Sequence, residues 1–118
     1  MVATVDRGYC LLIYPLTEWE KIERKLVALP NLGKTARKLQ RLLLGHATEL
    51  EMDNQGRILL PRELREFAGL EQKVMLIGQG NKFELWDEQR WTDRRDEWLA
   101  GDDSEYEDLS AELDSLSL

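Results

Sequence analysis

The sequence is poor in the residues that mark several classes of protein. Its 118 residues include one cysteine, Cys10, and one histidine, His46. A single cysteine cannot close a disulfide within the chain, and its place in the apolar run CLLIY predicts a buried thiol. A lone histidine builds neither a zinc site nor a Ser-His-Asp triad, so we expect it to pack or to hydrogen-bond at the start of a strand. We therefore expect no enzyme, no metal and no cofactor.

Long apolar runs are also missing. No stretch approaches the roughly 18 apolar residues that a membrane span needs, and the opening MVATVDRGYC lacks the basic and apolar regions of a signal peptide. The loop GQGN is not followed by the Gly-Lys-Ser/Thr of a phosphate-binding loop. These features predict a cytoplasmic protein with no membrane partner and no small-molecule substrate.

The net charge of −7 is unevenly distributed. Residues 102–118 carry seven acidic residues and no basic one, which leaves 16 acidic and 16 basic residues in the rest of the chain. An acidic tail therefore follows a neutral body, and that body can still present a local basic surface. The charge and serine content of the tail are typical of a disordered or only partly helical segment, with a short amphipathic helix of DLSAEL and DSLSL against a partner as the alternative. A second possibility is that the tail competes with DNA for a basic face.

The alternation of apolar and polar residues predicts an α+β fold of short hairpins and helices. A Thr17-x-x-Glu20 capping box predicts a helix to about Leu29. The basic residues Lys34, Arg37, Lys38 and Arg41 share one face of the next helix, which ends at about Leu44. That face is typical of a solvated surface, with a subunit interface or a DNA flank as alternatives. The remaining predicted elements are a hairpin over 1–14, strands 46–53 and 57–61, a helix between Pro61 and Gly69, a hairpin over 73–86, and a helix opened by Asp87.

The chain contains a weak internal repeat. Shifted by 72 residues, segment 1–19 lies over 73–91 without a gap and matches at Val2, Gly8 and Trp19. The second copy is preceded by a strand, turn, strand and helix that have no counterpart before Met1. The repeat predicts an N-terminal truncation of about 30 residues, although an ordinary hairpin at the N-terminus is an equal alternative.

The stretch MDNQGRILLPRELREFAGL, residues 52–70, is the main candidate for a binding surface. Asp53 precedes Arg57 by four residues across a tight turn, and Gly56 permits a positive φ and a close backbone approach. A guanidinium at this place can meet a phosphate or a guanine edge. These residues alone favour a surface ion pair over a DNA contact.

The same stretch resembles the Asp-x-x-x-Arg signature of SpoVT/AbrB-type swapped-hairpin DNA-binding domains. The wider chain, above all RLLLGHA and GQGNKFELWD, is similar to the MraZ family of bacterial transcriptional regulators. The resemblance implies an α+β fold of tandem swapped-hairpin AbrB-like β-barrel repeats, the first incomplete, with connecting helices. The implied divisions are the back half of the first repeat (1–29), a connector helix (30–45), the second repeat (46–100) and the acidic tail (101–118).

The resemblance also implies a function. It predicts a nucleoid-associated, sequence-specific DNA-binding regulator, typically a repressor, of the division and cell-wall gene cluster. Such a protein binds repeated promoter boxes in double-stranded DNA as a homo-oligomeric ring. The implied DNA-binding residues are Asp53, Gly56, Arg57, Arg62 and Arg65. The alternative is an oligomerisation or protein-interaction module of the same fold, with DNA binding weakened or lost because the first hairpin is missing.

Overall fold

The computed structural model describes residues 1–29 and 33–101 of the chain. The predicted α+β class is confirmed. Residues 102–118 of the predicted acidic tail lie outside the described residues. The chain divides into two compact units, Met1–Glu88 and Gln89–Leu118. The strands are β1 (Val2–Val5), β2 (Leu11–Tyr14), β3 (Thr48–Glu49), β4 (Val74–Gly78) and β5 (Phe83–Asp87), and the helices are α1 (Leu16–Val27), α2 (Lys34–Gly45), α3 (Arg62–Ala68) and α4 (Glu88–Leu99).

The five strands form one antiparallel sheet with the order β3-β1-β2-β5-β4. The hairpins β1–β2 and β4–β5 were both predicted from their β-prone runs, and both are confirmed. They are joined through β2 and β5, where Leu11 lies opposite Leu85. β4 therefore lies at one edge of the sheet, and the short β3 lies at the other.

The central strands β1 and β2 are buried along their whole length, because helices cover both faces. On one face, Leu64 and Ala68 of α3 pack with Val5 and Leu11 in a cluster of buried apolar side chains. On the other face, the Thr4 hydroxyl donates a 2.6 Å hydrogen bond to the Leu43 carbonyl of α2. A strand buried on both faces reads as a continuous apolar run, as VATV and LLIY do.

The lone cysteine and histidine occupy the structural positions expected of them. Cys10 is fully buried, and burial together with the nearby Asp6 charge raises the pKa of its thiol to about 12. His46 follows α2, where its Nδ1 lies 2.8 Å from the Leu42 carbonyl oxygen. Because a carbonyl only accepts, Nδ1 carries the proton that is donated. Both residues therefore contribute to packing and local hydrogen bonding.

The predicted capping box at the start of α1 is wrong. α1 begins one residue before Thr17, and Pro15 is the N-cap with φ −57° and ψ 147°. The Pro15 carbonyl accepts the Trp19 N–H at 2.9 Å, so the first turn closes around backbone groups. Thr17 already lies inside the helix, where its hydroxyl cannot act as the N-cap acceptor. The helix also ends at Val27, two residues before the predicted Leu29.

The predicted strands 46–53 and 57–61 are also wrong in extent. Only Thr48–Glu49 forms a strand, and it pairs with β1 rather than with residues 57–61. A single bridge between Met52 and Ile58 remains of the predicted hairpin. A β-strand needs hydrogen bonds to the backbone of a neighbouring strand. The two arms of this turn are paired at this one position only. Arg57 therefore lies in the turn rather than at the start of a strand.

The β1–β2 and β4–β5 hairpins, each with the helix that follows it, occupy equivalent positions in the sequence. A shift of 72 residues places the bounds of α1 on those of α4. Within the second unit, the rings of Trp91 and Trp98 meet edge to face with centroids 5.8 Å apart. No helix in residues 1–29 and 33–101 has both the length and the apolar character to cross a membrane.

Candidate nucleic-acid interface

Two backbone hydrogen bonds close the Asp53–Arg57 turn. The Asp53 N–H donates to the Arg57 carbonyl at 2.8 Å, and the Gly56 N–H donates to the Asp53 carbonyl at 3.0 Å. Gly56 has φ 78°, a left-handed conformation that glycine adopts without a steric penalty. A Cβ added at Gly56 would meet no atom within 4 Å, so the requirement for glycine is conformational.

The Asp53 carboxylate organises this turn from the inside. Its Oδ1 accepts the N–H groups of Gln55 at 2.9 Å and Arg57 at 2.8 Å. Its Oδ2 accepts Nε–H of Arg57 at 3.1 Å. The backbone N–H of Arg57, followed by that of Gln55, holds the pKa of the Asp53 carboxyl below its usual value. Asp53 therefore positions Arg57 and is not itself a group that attracts phosphate.

Arg57 is presented to solvent despite this restraint. Its side chain is 73% exposed, compared with 47% for Asp53. The ion pair uses Nε, so the two terminal nitrogens of the guanidinium keep donors for a bidentate partner. A phosphate or the O6 and N7 atoms of guanine present acceptors at a suitable spacing. This arrangement suits recognition of a nucleic acid more than it suits stabilisation of the fold.

The two arginines of α3 differ in their ion pairing. Arg62 donates through Nε to Glu66 at 2.7 Å, and both side chains are exposed. Arg65 is exposed and lines a shallow depression of about 390 Å³ together with Arg62. Gly69 ends the helix in the left-handed conformation, as its sequence position predicts.

The predicted site residues thus form two groups. Asp53, Gly56 and Arg57 share one turn, and Arg62 and Arg65 share one depression. In the part of the chain that the structure describes, no hydrogen bond or ion pair joins Arg57 to either arginine of α3. Glu66 was not predicted as a partner of Arg62, although a spacing of four residues on a helix is a known signal for such a pair.

The turn of the β1–β2 hairpin repeats the Asp53 arrangement, a likeness that was not predicted. The Asp6 N–H donates to the Cys10 carbonyl, and the Tyr9 N–H donates to the Asp6 carbonyl, both at 3.0 Å. The Asp6 carboxylate accepts the Gly8 N–H at 2.8 Å, and Tyr9 adopts φ 66°. The sequence carries a signal for this likeness, because each aspartate stands five residues before a short apolar run, LLI or ILL.

Comparisons with known proteins identify the family. The sequence model described as "MraZ protein, putative antitoxin-like" matches residues 43–105. The chain is 59% identical to a protein of Thioalkalivibrio sulfidiphilus, 58% identical to one of Halorhodospira halophila and 53% identical to one of Coxiella burnetii. Each of these matches covers 100% of this chain and 78% of the relative.

The chain belongs to the MraZ family. All three relatives carry the name "Transcriptional regulator MraZ". The resemblance drawn from RLLLGHA and GQGNKFELWD is therefore confirmed. The match of the MraZ model begins within α2 and includes the Asp53 turn, α3 and the β4–β5 hairpin.

Proposed function

We propose that this chain is a transcriptional regulator that binds double-stranded DNA through the Asp53–Arg57 turn. The observation that carries the proposal is the exposed Arg57 guanidinium, which Asp53 holds through Nε on a tight turn. Its family membership and the names of its relatives support the same function. Gly56 contributes the left-handed turn and leaves the approach to it open.

In this proposal, α3 contributes to phosphate binding. Arg65 can reach a phosphate directly, whereas Arg62 must exchange Glu66 for the phosphate. That exchange is feasible because both partners of the ion pair are exposed and such pairs are weak. Each arginine that neutralises a phosphate should steepen the dependence of log K on log salt by about 0.9.

The proposed regulator acts as a homo-oligomer. The apolar face that forms the core continues from Leu85 to Leu76 on β4, and Leu76 is 58% exposed. Phe83 and Val74 extend the same exposed surface. An exposed apolar surface beside an edge strand is typical of a subunit contact. The family resemblance supports assembly of SpoVT/AbrB-type swapped-hairpin repeats into a ring.

The target genes and the cellular location are proposed from the family resemblance. The chain is proposed to repress the division and cell-wall gene cluster by binding repeated promoter boxes, and to associate with the nucleoid in the cytoplasm. A gel-shift assay tests the proposal with the DNA upstream of that cluster and an unrelated duplex of equal length, at two salt concentrations. We expect tighter binding to the upstream DNA at both concentrations. Equal binding to the two duplexes would exclude a sequence-specific regulator.

The exposed β4 surface also favours a second function, an assembly or interaction module with little affinity for DNA. This alternative predicts self-association that depends on Leu76 and an absence of any gel shift at low salt. Analytical ultracentrifugation of the full chain and of the Leu76→Glu variant measures the self-association. A chain that shifts its upstream DNA, whether or not Leu76→Glu dissociates it, would exclude the alternative.

A further inference from the structure

A groove with an apolar floor and a basic rim lies beside the β1–β2 turn. It has a volume of about 560 Å³ and runs between this hairpin, α2 and Phe67 of α3. A second cavity of about 230 Å³ adjoins it and shares Arg7, Leu39 and Leu42 with it. The two form one groove along α2, which we call the α2 groove.

The floor of the α2 groove is built from apolar and aromatic side chains. Leu39, Leu42 and Leu43 supply one side. Tyr9 and Phe67, whose rings stack at 5.9 Å, supply another. Burying such a surface is favourable for any ligand that carries aliphatic side chains. A ligand that offers only phosphates would leave this floor exposed to water.

The rim of the α2 groove is basic. Arg7 and Lys82 line the larger cavity, and Lys38 lines the adjoining one. The Lys82 ammonium lies 5.9 Å from the centroid of the Tyr14 ring at the same edge. Asp6 is the one acidic residue among those that line these two cavities, and its carboxylate accepts the Gly8 N–H. The groove therefore favours an acidic ligand that also carries apolar side chains.

This chain contains a segment with that chemistry. Residues 102–118 hold seven acidic residues and no basic one. The same segment carries leucines at positions 109, 113, 116 and 118. It thus offers negative charge to the rim and aliphatic side chains to the floor. Duplex DNA offers phosphate charge but no aliphatic side chains.

A neighbouring copy can supply this segment at high local concentration. The exposed apolar surface of Val74, Leu76 and Phe83 favours association between copies of the chain. Association raises the effective concentration of one copy's C-terminal segment near the other copy's groove. We propose that the α2 groove binds residues 102–118 of a second copy of this chain. This contact is independent of the DNA-binding turn.

A labelled peptide of residues 102–118 tests the contact. The receptor is the full chain carrying Leu109→Ser and Leu113→Ser, so that its own segment does not compete. We expect saturable binding that weakens as salt rises. The same two substitutions placed in the peptide should weaken binding by about tenfold or more for each leucine. A substituted peptide that binds as tightly as the unchanged one would overturn the proposal, as would an absence of binding at low salt.

Charge reversal locates the binding surface on the receptor. The double substitution Arg7→Glu and Lys82→Glu, which we call the groove pair, should weaken peptide binding by about tenfold or more. The matched control is Arg24→Glu with Lys25→Glu, two exposed residues of α1 that give the same change of net charge. Equal weakening by both pairs would mean attraction by net charge alone and would overturn the proposal. If the groove pair melts at a lower temperature than the receptor, Lys38→Glu on the exposed face of α2 replaces it, with Arg24→Glu as its control.

A mixing experiment separates a second copy from the chain's own segment. One donor-labelled chain carries the two leucine substitutions, and one acceptor-labelled chain carries the groove pair. Energy transfer should exceed that of two leucine-substituted chains, because only the first mixture contains an intact groove and an intact segment. Equal transfer in the two mixtures would refute the second copy as the occupant. If the receptor with an intact groove does not bind the peptide and the groove pair loses DNA binding, the groove is a nucleic-acid site instead.

Discussion

Replacing Arg57 with alanine isolates the proposed DNA contact from the fold of the turn. Of the hydrogen bonds that close the turn, the substitution removes the one from Nε to Asp53. The backbone N–H of residue 57 still donates to the Asp53 carboxylate, and its carbonyl still accepts the Asp53 N–H. The melting temperature should therefore change little, and a loss of DNA binding would report the missing guanidinium.

The magnitude of that loss depends on what Arg57 contacts. A bidentate pair with guanine contributes about 1–3 kcal/mol to discrimination, so affinity for the specific duplex should fall by roughly 5- to 150-fold. A phosphate contact alone should weaken binding to all duplexes and reduce the salt slope by about 0.9. Fluorescence anisotropy with specific and unrelated duplexes, at about 50 and 200 mM salt, distinguishes these outcomes.

Arg24→Ala is the matched control for Arg57→Ala. Arg24 is an exposed residue of α1, and its loss changes the net charge of the chain by the same amount. Because long-range attraction depends on net charge, both variants should lose the same small part of their nonspecific affinity. If Arg57→Ala bound specific DNA as well as Arg24→Ala does, the assignment of the Asp53–Arg57 turn would be wrong.

Three further predictions follow from the described contacts. Leu64→Ala should reduce the free energy of unfolding by about 2–5 kcal/mol in urea denaturation, because Leu64 is 2% exposed within the core, whereas Leu59→Ala, at 86% exposure, should change it little. Comparable losses would refute the core assignment. Cys10 should resist alkylation at pH 8 until the chain unfolds, because its raised pKa and burial suppress the thiolate; rapid reaction of the folded chain would contradict this. The Asp53 pKa lies below its usual 3.8, so its stabilisation of the turn is complete above that pH and is lost as the pH falls through the lowered pKa. The Arg57 amide resonance should report that loss, and an amide that titrates above pH 3.8 would refute it.

Local patterns predicted those elements whose partners lie close in sequence. The β1–β2 and β4–β5 hairpins pair neighbouring runs, so the β-prone segments and the intervening turns were sufficient. The junction of β2 and β5 places Leu11 opposite Leu85, and no local signal specifies so distant a pair. The order of strands in the sheet was therefore not predicted.

The wrong predictions have a physical explanation in the same terms. Residues 57–61 have a strand-like composition, but backbone pairing with the preceding arm is limited to Met52 and Ile58. Side chains such as Ile58 and Leu60 instead pack against the core, so apolar residues at these positions serve burial rather than a ladder. The turn at Asp53–Arg57 was predicted from the sequence because it depends on Asp53 and Gly56, which act over four residues.

The two aspartate turns show how one local structure can connect core strands in one place and present a charged side chain in another. In each turn the aspartate carboxylate contacts the side chain four residues later, the Cys10 thiol at 3.8 Å or the Arg57 Nε at 3.1 Å. Cys10 is buried and its run LLIY enters the centre of the sheet, so the first turn connects two core strands. Arg57 is exposed and its run joins no strand, so the second turn leaves a charged side chain at the surface. Both turns have the same backbone structure. The residue four positions after the aspartate differs in identity and burial, and this difference separates a structural turn from a candidate recognition turn.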